Sequence, residues 1–116
     1  MHSTRPTTQP PAPADFLPLP HLAFHVLVAL GDTERHGWAI VRRIEELTRG
    51  LWSPSAGSLY LSMTRLEESG LIEDVPAPAD ETDARRRYYR LTALGRSVLD
   101  LELRRVASLV AAARAP

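Results

Sequence analysis

Cysteine is absent from the 116-residue chain, and so is lysine. The first absence rules out disulfides, zinc–thiolate sites and thiol catalysis. The second leaves arginine to supply all 14 basic groups. A guanidinium can meet guanine or phosphate with two parallel hydrogen bonds, although genome composition explains the bias equally well. Neither sign of charge is in excess, since 14 acidic groups balance the basic ones. That argues against a protein that coats nucleic acid by bulk charge and leaves room for a local basic face. No apolar run approaches the ~20 residues a membrane helix needs, and no signal peptide is visible. The expectation is a cytoplasmic protein with no membrane partner. Catalytic signatures are missing too: there is no P-loop, nucleophile elbow, HExxH or dinucleotide fingerprint. Glu67 and Glu68 are adjacent, about a quarter-turn apart on a helix, and make a poor acid–base pair. Neither an enzyme nor a cofactor is expected.

What is present is 44% hydrophobic residues, enough for one domain with a modest core. Residues 1–20 carry Pro6, Pro10, Pro11, Pro13, Pro18 and Pro20 and are expected to form a disordered tail, with a docking arm as the alternative. A first helix is predicted over 21–30 from Leu22, Val26, Leu27 and Leu30, ending at Gly31. Residues 32–36 read as a polar turn. A second helix spans 37–48, with Trp38, Val41, Ile44 and Leu47 or Thr48 on one side. Leu51 and Trp52 suggest a stub of strand.

The stretch 55–72, SAGSLYLSMTRLEESGLI, organises the rest. Leu59, Met63 and Leu66 recur at i, i+4 and i+7 and so share one helical face. Ser55, Ser58, Tyr60, Ser62 and Arg65 fall mostly on the remaining surface, and Gly70 stops the helix. Hydroxyls, a phenol and an arginine suit base edges and phosphates in a major groove. Strands are predicted over 71–75 and 85–92, joined by the polar loop 76–84. Thr92 caps a last helix over 93–113, in which Leu99, Leu103, Val106 and Val110 form a seam of coiled-coil type.

Helix, helix, recognition helix and hairpin is the order of a winged helix-turn-helix, mainly α within an α+β class. The motifs HGWAI at 36–40, GSLYLSMTRLEESGLI at 57–72 and RRYYRLTALG at 86–95 resemble the PadR-type transcriptional regulators. The resemblance covers about residues 22–95. Leu61 departs from it where the family usually has proline, and Trp38 where it usually has tyrosine. The resemblance implies a winged domain over 21–92 and a dimerisation helix over 93–116. It further implies a homodimer that binds double-stranded DNA at a pseudo-palindromic operator, usually as a repressor, with a small aromatic effector in some members. Some small members line a drug pore with a tryptophan on the last helix; here that helix has no aromatic residue.

The candidate DNA contacts are Ser55, Ser58, Tyr60, Thr64, Arg65, Arg85, Arg86 and Arg87. Each has a plainer reading. Ser55 and Ser58 could cap the helix, Tyr60 could be half-buried, and Arg65 could pair with Glu68. The three wing arginines could be a solvated tip partly cancelled by Asp80, Glu81 and Asp83. His21 and His25 have a metal-compatible i, i+4 spacing but no third ligand, so a structural or titrating pair is expected. Two competing functional classes are a winged helix that binds another protein and a ligand sensor whose DNA role is secondary.

Overall fold

The computed structural model describes residues 10–116. Four helices carry the chain: α1 (His21–Ala29), α2 (Gly37–Leu47), α3 (Ala56–Glu68) and α4 (Ala93–Arg114). Three short strands, β1 (Arg35–His36), β2 (Ile72–Val75) and β3 (Tyr88–Leu91), form one antiparallel sheet in the order β1-β3-β2. This is a winged helix-turn-helix, mainly α, with a long carboxy-terminal helix.

Local chemistry explains the boundaries. His36 caps α2 by accepting the Ala39 N–H on Nδ1, Ser55 caps α3, and Thr92 caps α4 by accepting the Gly95 N–H. Gly50 and Gly70 end the second and third helices with positive φ, and the Leu71 N–H returns to the Leu66 carbonyl as a helix-closing bond.

The core joins α1, α2, α3, the sheet and the first turns of α4. Val26, Leu27, Ile40, Ile44, Leu59, Met63, Leu71, Ile72, Val98 and Leu99 are all buried in one cluster. The predicted stripe Leu59, Met63 and Leu66 is buried as expected. The α2 stripe differs: Ile40, Val41 and Ile44 are buried, whereas Trp38 and Leu47 are exposed. Those three already complete one helical face, which leaves Trp38 beyond its edge.

Four further expectations are corrected. The turn at 32–36 contains β1, whose Arg35 and His36 pair with Tyr89 and Tyr88. Leu51 and Trp52 form no strand; Trp52 instead makes tilted and edge-on ring contacts with His21 and His25, with ring centroids 4.7 and 4.9 Å away. The second wing strand begins only at Tyr88, so Arg85, Arg86 and Arg87 lie in the loop before it. Finally, the disorder expected over residues 1–20 does not hold for its second half. Residues 1–9 lie outside the described residues. From there the chain forms a 3-10 turn (Pro13–Phe16), and Phe16, Leu17 and Leu19 pack on the core as a strap. The strap is pinned by Glu102, the one buried charged residue among those described. Its carboxylate accepts the Leu19 N–H at 2.8 Å and also bonds Arg105, whose guanidinium lowers its pKa. A buried acid without such partners would be costly.

The seam on α4 is divided. Leu99 belongs to the chain's own core, while Leu103 and Val110 are exposed and Val106 is half-buried. No residue after Glu102 is buried. The radius of gyration of 15.9 Å exceeds the ~13 Å of a compact 100-residue domain, as a helix projecting from its core requires.

Candidate nucleic-acid interface

The recognition helix α3 buries one face and leaves the other to solvent, so its exposed residues depend on helical phase alone. Tyr60 and Leu61 are 65% and 52% exposed. Ser55 is engaged as a cap: its Oγ accepts the Ser58 N–H at 3.2 Å and its hydroxyl donates to Ser58 Oγ at 3.0 Å. The Thr64 hydroxyl donates to the Tyr60 carbonyl at 2.9 Å. The Arg65 guanidinium does not pair with Glu68; it makes no hydrogen bond or ion pair among the described residues.

A cleft of about 470 Å³ separates α3 from the wing. Tyr60, Thr64 and Glu67 line one side, Arg85, Arg86 and Arg87 the other, and His36 and Trp38 close the end. The structure therefore brings together five of the eight candidate contacts. Ser58 and Arg65 sit on the opposite flank of α3, against a second cavity, and Ser55 stays at the cap.

Each wing arginine is held by a carboxylate. Arg85 pairs with Asp83 at 3.2 Å, Arg86 with Glu81 at 3.5 Å, and Arg87 with Asp74 at 2.7 Å and Glu67 at 3.7 Å. Arg87 also lies over the Tyr89 ring, 5.5 Å from its centroid. These side chains are 93%, 43% and 59% exposed. The Arg85–Asp83 and Arg87–Asp74 pairs face solvent and are individually weak, so a stronger anion can displace those carboxylates, whereas the Glu81 side chain is largely covered. Their local effect is still marked. The Tyr88 hydroxyl donates to Glu81, and this bond, the Asp83 N–H and Arg86 bring the Glu81 carboxyl from 4.5 to about 2. Arg85 lowers the Asp83 pKa, and Asp74 raises that of Arg87. Burial, then Arg86, lowers the His36 pKa, which keeps Nδ1 free to accept the cap bond.

Sequence reasoning missed Trp38, His36, Glu67 and Tyr89 as parts of this cleft, and Asp74 as the partner that holds Arg87 beside it. For Trp38 the signal existed, because the stripe at 40, 41 and 44 is complete without it. For Asp74 and Glu67 only three-dimensional proximity identifies the role. No group of three or more metal-ligating side chains occurs among the described residues, and no described helix is long and apolar enough to cross a membrane.

A capped reading helix, a second helix before it and a hairpin beside it define the winged helix-turn-helix class. Residues 26–101 match the Transcriptional regulator PadR-like family, and the chain belongs to that family. Among curated relatives, it is 34% identical over 85 residues to the transcriptional regulator Rv3488 of Mycobacterium tuberculosis, covering 73% of this chain and 75% of that one. It is 37% identical over 84 residues to an uncharacterized 37.1 kDa protein in a transposon of Streptomyces fradiae, covering 72% of this chain but only 22% of that protein. A PadR family transcription regulator from Clostridium difficile superposes with a TM-score of 0.70 at 22% identity, over 80% of this chain and 94% of that one. Bacillus subtilis PadR, solved in complex with operator DNA, superposes with a TM-score of 0.63 at 24% identity, over 74% of this chain and 48% of that one.

Proposed function

We propose that two copies of the chain bind double-stranded DNA at a pseudo-palindromic operator and repress transcription there. The observation that carries this reading is the cleft in which Tyr60 and Thr64 on α3 face Arg85, Arg86 and Arg87 on the wing. With α3 in a major groove, hydroxyl and phenol groups reach base edges while the wing guanidiniums exchange carboxylates for phosphates. Ser58 and Arg65, on the far flank, would meet the opposite backbone, and the exposed Trp38 adds an apolar contact at the groove edge. The partner copy covers the apolar stripe Leu103, Val106 and Val110, of which Leu103 and Val110 are 43% and 46% exposed. Such a pair holds its recognition helices about one duplex turn apart, ~34–36 Å. The family is one of regulators, and the Bacillus relative was solved on operator DNA, which supports the same partner here.

The test is a footprint of the purified chain on the DNA upstream of its own gene, repeated with Tyr60→Ala and with Arg86 and Arg87 both changed to alanine. Protection of two half-sites, lost in the variants, supports the reading. A lone subunit at micromolar concentration, or no protection even in dilute buffer, refutes it. One observation favours a second reading, a winged helix that docks on another protein: every wing arginine already has a carboxylate partner. Undiminished partner binding by the arginine variants would select that alternative.

A further inference from the structure

We propose that α3 reads its operator through the C5-methyl groups of thymine, with Leu61 and Thr64 as the residues that set base preference. The inference rests on the DNA reading above and adds which base edge the helix is built to meet. Residues 56–68 contain no asparagine, glutamine or lysine, and their single arginine, Arg65, lies on the far flank against the second cavity. Two-bond readout of adenine needs a side-chain amide, and that of guanine needs a guanidinium or ammonium group. The outward side of α3 carries neither.

What it carries is apolar. Gly57, Leu61 and Thr64 each stand two positions before a member of the buried stripe Leu59, Met63 and Leu66. At ~100° per residue, that offset turns them about 200° from the core, onto the outermost line of the helix. Leu61 is 52% exposed and stands where the PadR-type pattern usually has proline. Thr64 is exposed too, and its hydroxyl donates to the Tyr60 carbonyl at 2.9 Å. That bond uses the only donor of the side chain, so its Cγ2 methyl is what remains for a base. Gly57 extends the line without a side chain. A β-carbon there would meet nothing within 4 Å, so the fold itself does not require glycine, and the first turn of α3 lies bare for close approach. Glu68 continues the same line but belongs to the last turn, whereas recognition helices contact base edges from their N-terminal part. The one apolar group that a base pair shows in the major groove is the thymine methyl, and an apolar reading line matches it.

The experiment uses the full chain to select binding duplexes from a random pool. Fluorescence anisotropy then follows the selected duplex with each thymine replaced in turn by deoxyuridine, which removes the methyl and leaves the pairing edge intact. At thymines within the half-sites, loss of the methyl should weaken binding about fourfold, as exposure of one buried methyl implies. Flanking thymines should show no effect. Thr64→Ser keeps the hydroxyl and deletes only the methyl, and should bind the thymine and uracil duplexes alike at one of these positions. Leu61→Ala should do so at another. Half-sites made of G·C pairs alone, unchanged affinity for a duplex with deoxyuridine throughout, or thymine–uracil discrimination that survives both substitutions would overturn the assignment while leaving DNA binding standing. Enrichment of no duplex at all would sink the DNA reading and this one with it.

Discussion

Gly95 lies so close to Leu71 that a β-carbon built on it would stand 1.9 Å from the Leu71 carbonyl oxygen. That carbonyl also accepts the Thr92 N–H at 3.1 Å, so the start of α4 is locked to the link between the recognition helix and β2. The glycine closing the RRYYRLTALG motif is thus required by close backbone approach, not by a turn, since it sits inside α4. Gly95→Ala must push two backbones apart. A loss of about 1–3 kcal/mol or more is expected, read as a fall of at least ~5 °C in Tm. Gly57→Ala is the control: a β-carbon there meets nothing within 4 Å, and Tm should hold or rise. Equal Tm for both variants would contradict the packing described.

The two ends of the α4 stripe should respond differently. Leu99 is buried in the chain's own core, so Leu99→Ala should cost about 2–5 kcal/mol at any protein concentration. Leu103 is 43% exposed, so Leu103→Asp should leave the subunit folded and prevent pairing. Denaturant unfolding across a concentration series, with sedimentation, separates the outcomes. An intact Leu103→Asp dimer would remove α4 from the interface.

Wing substitutions should act in opposite directions. Changing Arg86 and Arg87 to alanine removes up to two phosphate contacts. It should weaken binding to all DNA sequences and flatten the slope of log K against log[salt] by about 0.9 per contact. Asp74→Asn removes the nearer of the two carboxylates that hold Arg87, leaving Glu67 at 3.7 Å, and should tighten binding by no more than about fivefold given the weakness of exposed pairs. An unchanged salt slope would remove the wing from the phosphate backbone.

Acid should loosen the wing in a defined window. The Glu81 carboxyl titrates at about 2 in the folded chain against 4.5 ordinarily. Its folded pKa is the lower one, so its contribution to stability is present in full above pH 4.5 and disappears as pH falls from 4.5 towards 2. Tyr88→Phe deletes the hydroxyl that is the largest cause of the depression. In that variant the Glu81 side-chain carbon, followed by NMR, should titrate closer to 4.5, and stability should depend less on pH in this window. An unmoved titration would place the cause elsewhere.

Periodicity and capping chemistry were enough to locate the four helices, because a buried stripe and a capping hydroxyl act between residues a few positions apart. Leu59, Met63 and Leu66, with Ser55 and Thr92 as caps, were legible for that reason. The PadR-type motifs were legible too, and together with the polar face of the recognition helix they pointed to DNA. What the linear order could not contain is which separated residues meet. Asp74 reaches Arg87 only through the hairpin register and Glu67 only through the placement of α3 beside the wing, Glu102 reaches Leu19 across 83 residues, and Leu99 enters the core only because Gly95 allows α4 to approach Leu71. Local pattern determined the elements; packing decided that the wing arginines are paired with carboxylates while Arg65 is not, and where an apparently continuous seam passes from the chain's own core to an uncovered face. The physical reason is that burial and ion pairing depend on distances in space, which no spacing along the chain records.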